Sequence, residues 1–91
     1  MRLRWSESAA GDLAAIYEWI RHDSKTSADR ILEQLIRRGE QIALFPHSGR
    51  VVPEYGVRQV REVIEGPYRL VYHVGEANIE ILAVFHGARQ L

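Results

Sequence analysis

Tyr68–Val74 reads YRLVYHV, and its alternation decides the fold. Tyr68, Leu70, Tyr72 and Val74 point one way; Arg69, Val71 and His73 point the other. A period of two with β-branched and aromatic residues predicts a strand with one apolar face. Gly66-Pro67 punctuates its start and Gly75 its end. A second strand is expected at Ile79–His86, IEILAVFH, after a short turn at Gly75–Asn78. The two predict an antiparallel hairpin. Arg69 and His86 then both leave the aromatic face and can meet on the opposite one. An arginine in mid-strand is costly unless exposed, paired or used, so that face is the first place to look for function.

Upstream, Leu3 and Trp5 alternate with Arg2 and Arg4, which suggests a short first strand. Ser6-Glu7-Ser8 supplies helix N-cap candidates and an early negative charge. Ala9, Leu13, Ile16 and Ile20 come next at helical spacing and predict a helix over about Ser8–His22. Asp23–Ser27 is long enough only for a turn, in which Ser24, Thr26 or Ser27 can cap a second helix. Ala28, Leu32, Leu35 and Ile42 form the stripe of that helix, which ends near Leu44, before Pro46. Gly39 interrupts it at about 1 kcal/mol relative to alanine, which close approach to the first helix or the sheet would explain. Phe45–Gly56 is read as the one long irregular segment, and Arg58–Ile64 resumes strand character. The order β-α-α-β-β-β predicts one α+β domain over residues 1–91: an N-terminal strand, a helical hairpin, then an antiparallel three-strand run. The hairpin should cover one sheet face and leave the other at least partly open.

The totals narrow the function classes. Ninety-one residues suffice for a single core, and 46% hydrophobic residues argue against disorder. There are no cysteines, so disulfides and thiolate metal sites are excluded. No apolar run reaches the ~18 residues a membrane span needs, and the N-terminus has no signal-peptide pattern. A cytoplasmic protein without membrane contact is expected. Twelve basic and twelve acidic side chains cancel, and Lys25 is the only lysine. Neutrality argues against a generic polyanion binder but allows a local basic patch.

Four groupings carry candidate chemistry. Glu54, Arg61, Arg69 and His86 suit RNA cleavage. Glutamate or histidine can take the proton from a 2′-OH or protonate the leaving oxygen, and arginine can hold the phosphate. The plainer reading is that Glu54 and Glu62 pair with arginines on an exposed sheet face. Arg50, Arg58, Arg61, Arg69 and Arg89 suit a docking surface for an acidic protein segment or a nucleic acid. His22, His47 and His73 lack metal-ligand spacing, so neither metal nor cofactor is expected. Ser48-Gly49 reads as a plain turn. Trp5, Trp19, Tyr17 and Tyr72 have the spacing of core or partly buried residues.

Several motifs in order also resemble the RelE/ParE superfamily of toxins from bacterial type II toxin–antitoxin modules. Trp5-Ser6, Ala9 and Asp12-Leu13 are similar to the family's opening. Phe45-Pro46, Gly49-Arg50 and Pro53-Glu54 are similar to its helix-exit loop. Arg61-Glu62 and Tyr68–Tyr72 match its central strands, and Val84–Arg89 is similar to the ParE-type terminus. The resemblance implies a helical hairpin on an antiparallel sheet, a cognate antitoxin partner, growth inhibition and a role such as plasmid stabilisation. It also implies one of two targets. RelE-type members are ribosome-dependent endoribonucleases that cut mRNA, and Glu54, Arg61 and Arg69, with His86 close by, sit where one branch of them keeps its catalytic groups. ParE-type members inhibit DNA gyrase. Two long helices, zero net charge and the His86–Arg89 ending favour the ParE type. A non-toxic module that only binds antitoxin is the further alternative.

Overall fold

A computed structural model describes residues 1–87. Strand β1 (Arg2–Trp5) leads into helices α1 (Glu7–Arg21) and α2 (Lys25–Leu44). Strand β2 (Arg50–Val51) and a 3-10 turn at Pro53–Tyr55 come after them, and β3 (Val60–Glu65), β4 (Tyr68–Val74) and β5 (Asn78–His86) complete the order. The architecture is the α+β hairpin-and-sheet arrangement that the patterning predicts. Both helix starts are capped by serine. Ser6 Oγ accepts from the Ala9 N–H at 3.0 Å and Ser24 Oγ from the Ser27 N–H at 3.1 Å.

The sheet order is β1-β5-β4-β3-β2. Two expectations need correction. The β3-β4-β5 run is antiparallel as predicted, but the sheet as a whole is mixed, because β1 lies beside β5 in parallel, with Arg2 opposite Asn78 and Trp5 opposite Ile81. Phe45–Gly56 is not wholly irregular either. Its Arg50-Val51 pairs with Glu62 and Arg61 of β3 and adds a fifth, edge strand.

The helical hairpin covers one face. Ala9, Leu35 and Ile42 from the helices meet Val63, Leu70, Tyr72, Ile79, Ile81 and Val84 from the sheet, all buried. Gly39 marks where α2 crosses β1 and β5. A Cβ there would lie 2.6 Å from the Trp5 ring and 3.0 Å from Ile81 Cδ1, so close approach to the sheet accounts for the glycine. The opposite face carries a smaller cluster, Val52, Val60 and Val71 flanked by Leu82 and Phe85. The segment after β2 thus covers part of the face expected to be at least partly open.

Strand β5 contains the feature that most affects the site. Val71 pairs with Ala83 but Tyr72 with Ile81, so Leu82 is an extra residue, a β-bulge. Ile79 and Ile81 face the helices before it; Val84 and His86 do so after it. The backbone groups around the bulge are satisfied from the start of α1. Ser6 Oγ donates to the Leu82 carbonyl at 3.1 Å, and the Val84 N–H donates to Asp12 Oδ2 at 2.8 Å.

Candidate functional site

Residues paired across a sheet share a face, so the register sorts the candidates. Glu62 faces Val71, and its strand neighbours two residues away, Val60 and Ile64, face His73 and Arg69. These lie on the outer face, away from the helices. Arg61 faces Tyr72 and lies on the helix face. His86 faces Tyr68, also on the helix face, where the rings meet edge-on at 5.3 Å. The expected meeting of Arg69 and His86 does not occur, because the bulge at Leu82 reverses the phase of β5 and places Phe85 beside Arg69 instead. Glu54 sits exposed in the 3-10 turn, without an ion pair among the described residues. Arg89 lies outside the described residues.

The outer face holds a carboxylate between two guanidinium groups. Glu62 is 3% exposed. Its Oε2 accepts from Arg50 Nε at 2.5 Å, and its Oε1 accepts from Arg69 Nε at 2.9 Å. The second nitrogen of each fork, Nη2, lies at the same 2.5 and 2.9 Å, so both contacts are two-pronged. Arg69 also stands 5.9 Å from the Phe85 ring centroid, a cation–π contact. Burying a carboxylate is tolerable only when its charge is matched and its lone pairs are used, and both conditions hold here. Glu62 does pair with arginines, as the plain reading has it, but the carboxylate is buried, Arg69 is mostly buried and only Arg50 is exposed.

The helix face builds a different environment at the β2–β3 edge. The buried Tyr72 hydroxyl donates to the Pro46 carbonyl at 2.7 Å and accepts from the Gly49 N–H at 3.0 Å, latching the α2–β2 connection to the sheet. Gly49 is required by that approach, since a Cβ would lie 2.6 Å from both the Glu62 carbonyl oxygen and the Tyr72 hydroxyl. Burial pushes the Tyr72 phenol above its usual range, opposed by the Gly49 N–H and the Arg61 charge, so it stays a neutral hydrogen-bonding group. Arg61 Nη1 donates to the Gly49 carbonyl at 2.9 Å. His47, Arg58, Gln59, Arg61 and Val74 line a half-open cavity of about 190 Å³ there.

At the other end of the helix face, Ala15, Ile16, Trp19, Ile20, Tyr68 and His86 line a mostly apolar groove of about 630 Å³. Trp19 is 79% exposed, which corrects its reading as a core or partly buried residue. Burial raises the Tyr68 phenol pKa beside it. Among the described residues no group of histidine and carboxylate side chains is arranged to hold a metal, and no helix is long and apolar enough to cross a membrane.

Sequence reasoning missed Asp12 and Ser6 as the groups that hold the bulge. The available signal was a carboxylate inside the apolar stripe of α1, between Ala9 and Ile16.

Comparison with known proteins fits this architecture. A chain of the chromosomal ParDE TA system from P. aeruginosa has the same fold, with a TM-score of 0.79 at 24% identity over 96% of each chain. Toxin RelE2 of Caulobacter vibrioides is 30% identical over 86 residues, 93% of each chain. The family described as ParE toxin of type II toxin-antitoxin system, parDE, matches residues 3–91. With nearly its whole length matched, the chain belongs to the ParE toxin family of type II toxin–antitoxin systems.

Proposed function

We propose that this toxin arrests growth by inhibiting DNA gyrase, as the resemblance to ParE-type members implies, and that it does not cut mRNA. The observation that carries this reading is the buried Glu62 held between Arg50 and Arg69. Metal-independent RNA cleavage needs a base, an acid and a cation within reach of one phosphate. Arg69 is already engaged by a carboxylate, and a phosphate there would have to compete with it. Of the remaining candidates, Arg61 and His86 lie on the helix face, across the sheet from Arg69, and Glu54 is exposed in the 3-10 turn. Zero net charge also fits a protein target better than the ribosome's polyanionic surface.

The cognate antitoxin has a ready place on the helix side. An exposed tryptophan at the rim of an apolar groove is the kind of anchor that partner segments cover. We assign the groove around Trp19, Tyr68 and His86 to an apolar antitoxin segment. Toxin and target then share the cytoplasm.

Induction in a bacterial host tests the target. An SOS response with blocked DNA supercoiling should appear first, and Glu54→Gln and His86→Gln should each leave killing within a few-fold of the parent. In a nuclease each would remove a proton-transfer group worth ~10²–10⁴-fold. Cleaved mRNA on ribosomes, with killing lost in either variant, would replace the gyrase reading with the nuclease one. Removing Arg89-Gln90-Leu91 bears on the same question, since a gyrase inhibitor should feel that loss more than either substitution.

A further inference from the structure

The arginines fall into two populations. Among the ten described residues of this type, Arg4, Arg21, Arg37, Arg38, Arg50 and Arg69 form ion pairs. Arg2, Arg30, Arg58 and Arg61 have no carboxylate within ion-pair distance among the described residues. Two of these four line the same small cavity, together with His47 and Gln59. No acidic side chain lines it. Arg61 is held in place by its bond to the Gly49 carbonyl, yet its Nε is buried without a hydrogen-bond partner. A guanidinium edge withdrawn from water and left without counter-charge is unfavourable, and an anion in the cavity offsets that.

We propose that the cavity formed by His47, Arg58, Gln59 and Arg61 is a binding site for a phosphate group. Two permanent cations without a neighbouring acid favour a dianion over a carboxylate, which would balance only one of them. The planar forks of Arg58 and Arg61 and the amide of Gln59 supply donors; His47 supplies a further one. A volume of about 190 Å³ admits a phosphate with its water but not a nucleoside as well, so any nucleoside attached to the phosphate lies outside. The site lies across the sheet from Arg69 and Glu62 and does not depend on the gyrase reading.

The test is a titration of the full isotopically labelled chain with inorganic phosphate at fixed ionic strength, followed through the Gln59 side-chain amide and the Arg61 Nε–H signals. A saturable shift that chloride does not reproduce is expected. Arg58→Gln, which removes an exposed cation that has no ion pair among the described residues, should weaken binding about tenfold or more. Arg30→Gln, an unpaired arginine on α2, should leave it unchanged. A parallel titration with thymidine 5′-monophosphate identifies the source. Tighter binding than inorganic phosphate assigns a nucleotide or nucleic-acid phosphate, and equal binding assigns the free ion. A response that never saturates with either ligand, or that Arg30→Gln weakens as much as Arg58→Gln, would overturn the proposal.

Discussion

The two faces of the sheet use arginine in opposite ways. On the outer face, Arg69 from within and Arg50 from the exposed rim close on the buried Glu62 and match its charge. On the helix face, Arg61 is anchored by a backbone carbonyl, and neither it nor Arg58 has an acidic partner among the described residues. The same residue type, a few positions apart, therefore does structural work on one side and leaves charge available on the other. Counting arginines in the sequence cannot separate these uses, because which face each one reaches depends on register.

The comparison is broken most severely by Glu62→Ala. Arg69, only 17% exposed, would lose its carboxylate, and breaking a buried pair from one side typically costs about 3–5 kcal/mol. Denaturant unfolding should show that loss, and adding Arg69→Met should recover part of it. A loss below about 1 kcal/mol would show that the outer pair is solvated after all, as exposed pairs are. Next is Tyr72→Phe, which removes the latch between the sheet and the Pro46–Gly49 turn. Leaving a buried donor and acceptor unpaired should cost about 1–3 kcal/mol, and amide exchange at Gly49 should accelerate more than in the outer-face cluster. Uniform acceleration would mean that the turn is not held locally. The smallest effect is expected for Arg58→Gln. Its charge has no protein partner to lose, so stability should stay within about 0.5 kcal/mol. A larger loss in the same unfolding assay would reveal an acidic contact and remove the contrast between the faces.

The helical hairpin and β4 were legible because each has a single clear period. YRLVYHV permits one phase only, and the structure buries Tyr68, Leu70 and Tyr72 together as that phase requires. Strand β5 is different. Ile81-Leu82-Ala83-Val84-Phe85 is apolar in both phases, so nothing local announces a bulge, and the side of the sheet reached by His86 could not be read. Trp19 misled for a related reason. It sits at helical spacing beside Ile16 and Ile20, but no strand residue covers it. Glu62 was legible as an arginine partner through its type alone. Its burial was not, because that depends on β2, a two-residue strand too short to leave a periodic signal. The partner of β1 was equally hidden, since parallel pairing joins residues distant in sequence and leaves no turn to mark it.

The pairing of β1 with β5 has a consequence for how the protein comes into being. Arg2 must find Asn78 and Trp5 must find Ile81, while Ser6 and Asp12 wait for the backbone of Leu82 and Val84. A chain emerging from the ribosome from its N-terminus exposes the first of these partners long before the second. Until the last strand is free, β1 is an unsatisfied edge and the hairpin lacks the centre of its core, so a truncated product cannot adopt the finished toxin. The order of the sheet thus makes completion of synthesis a condition for harm.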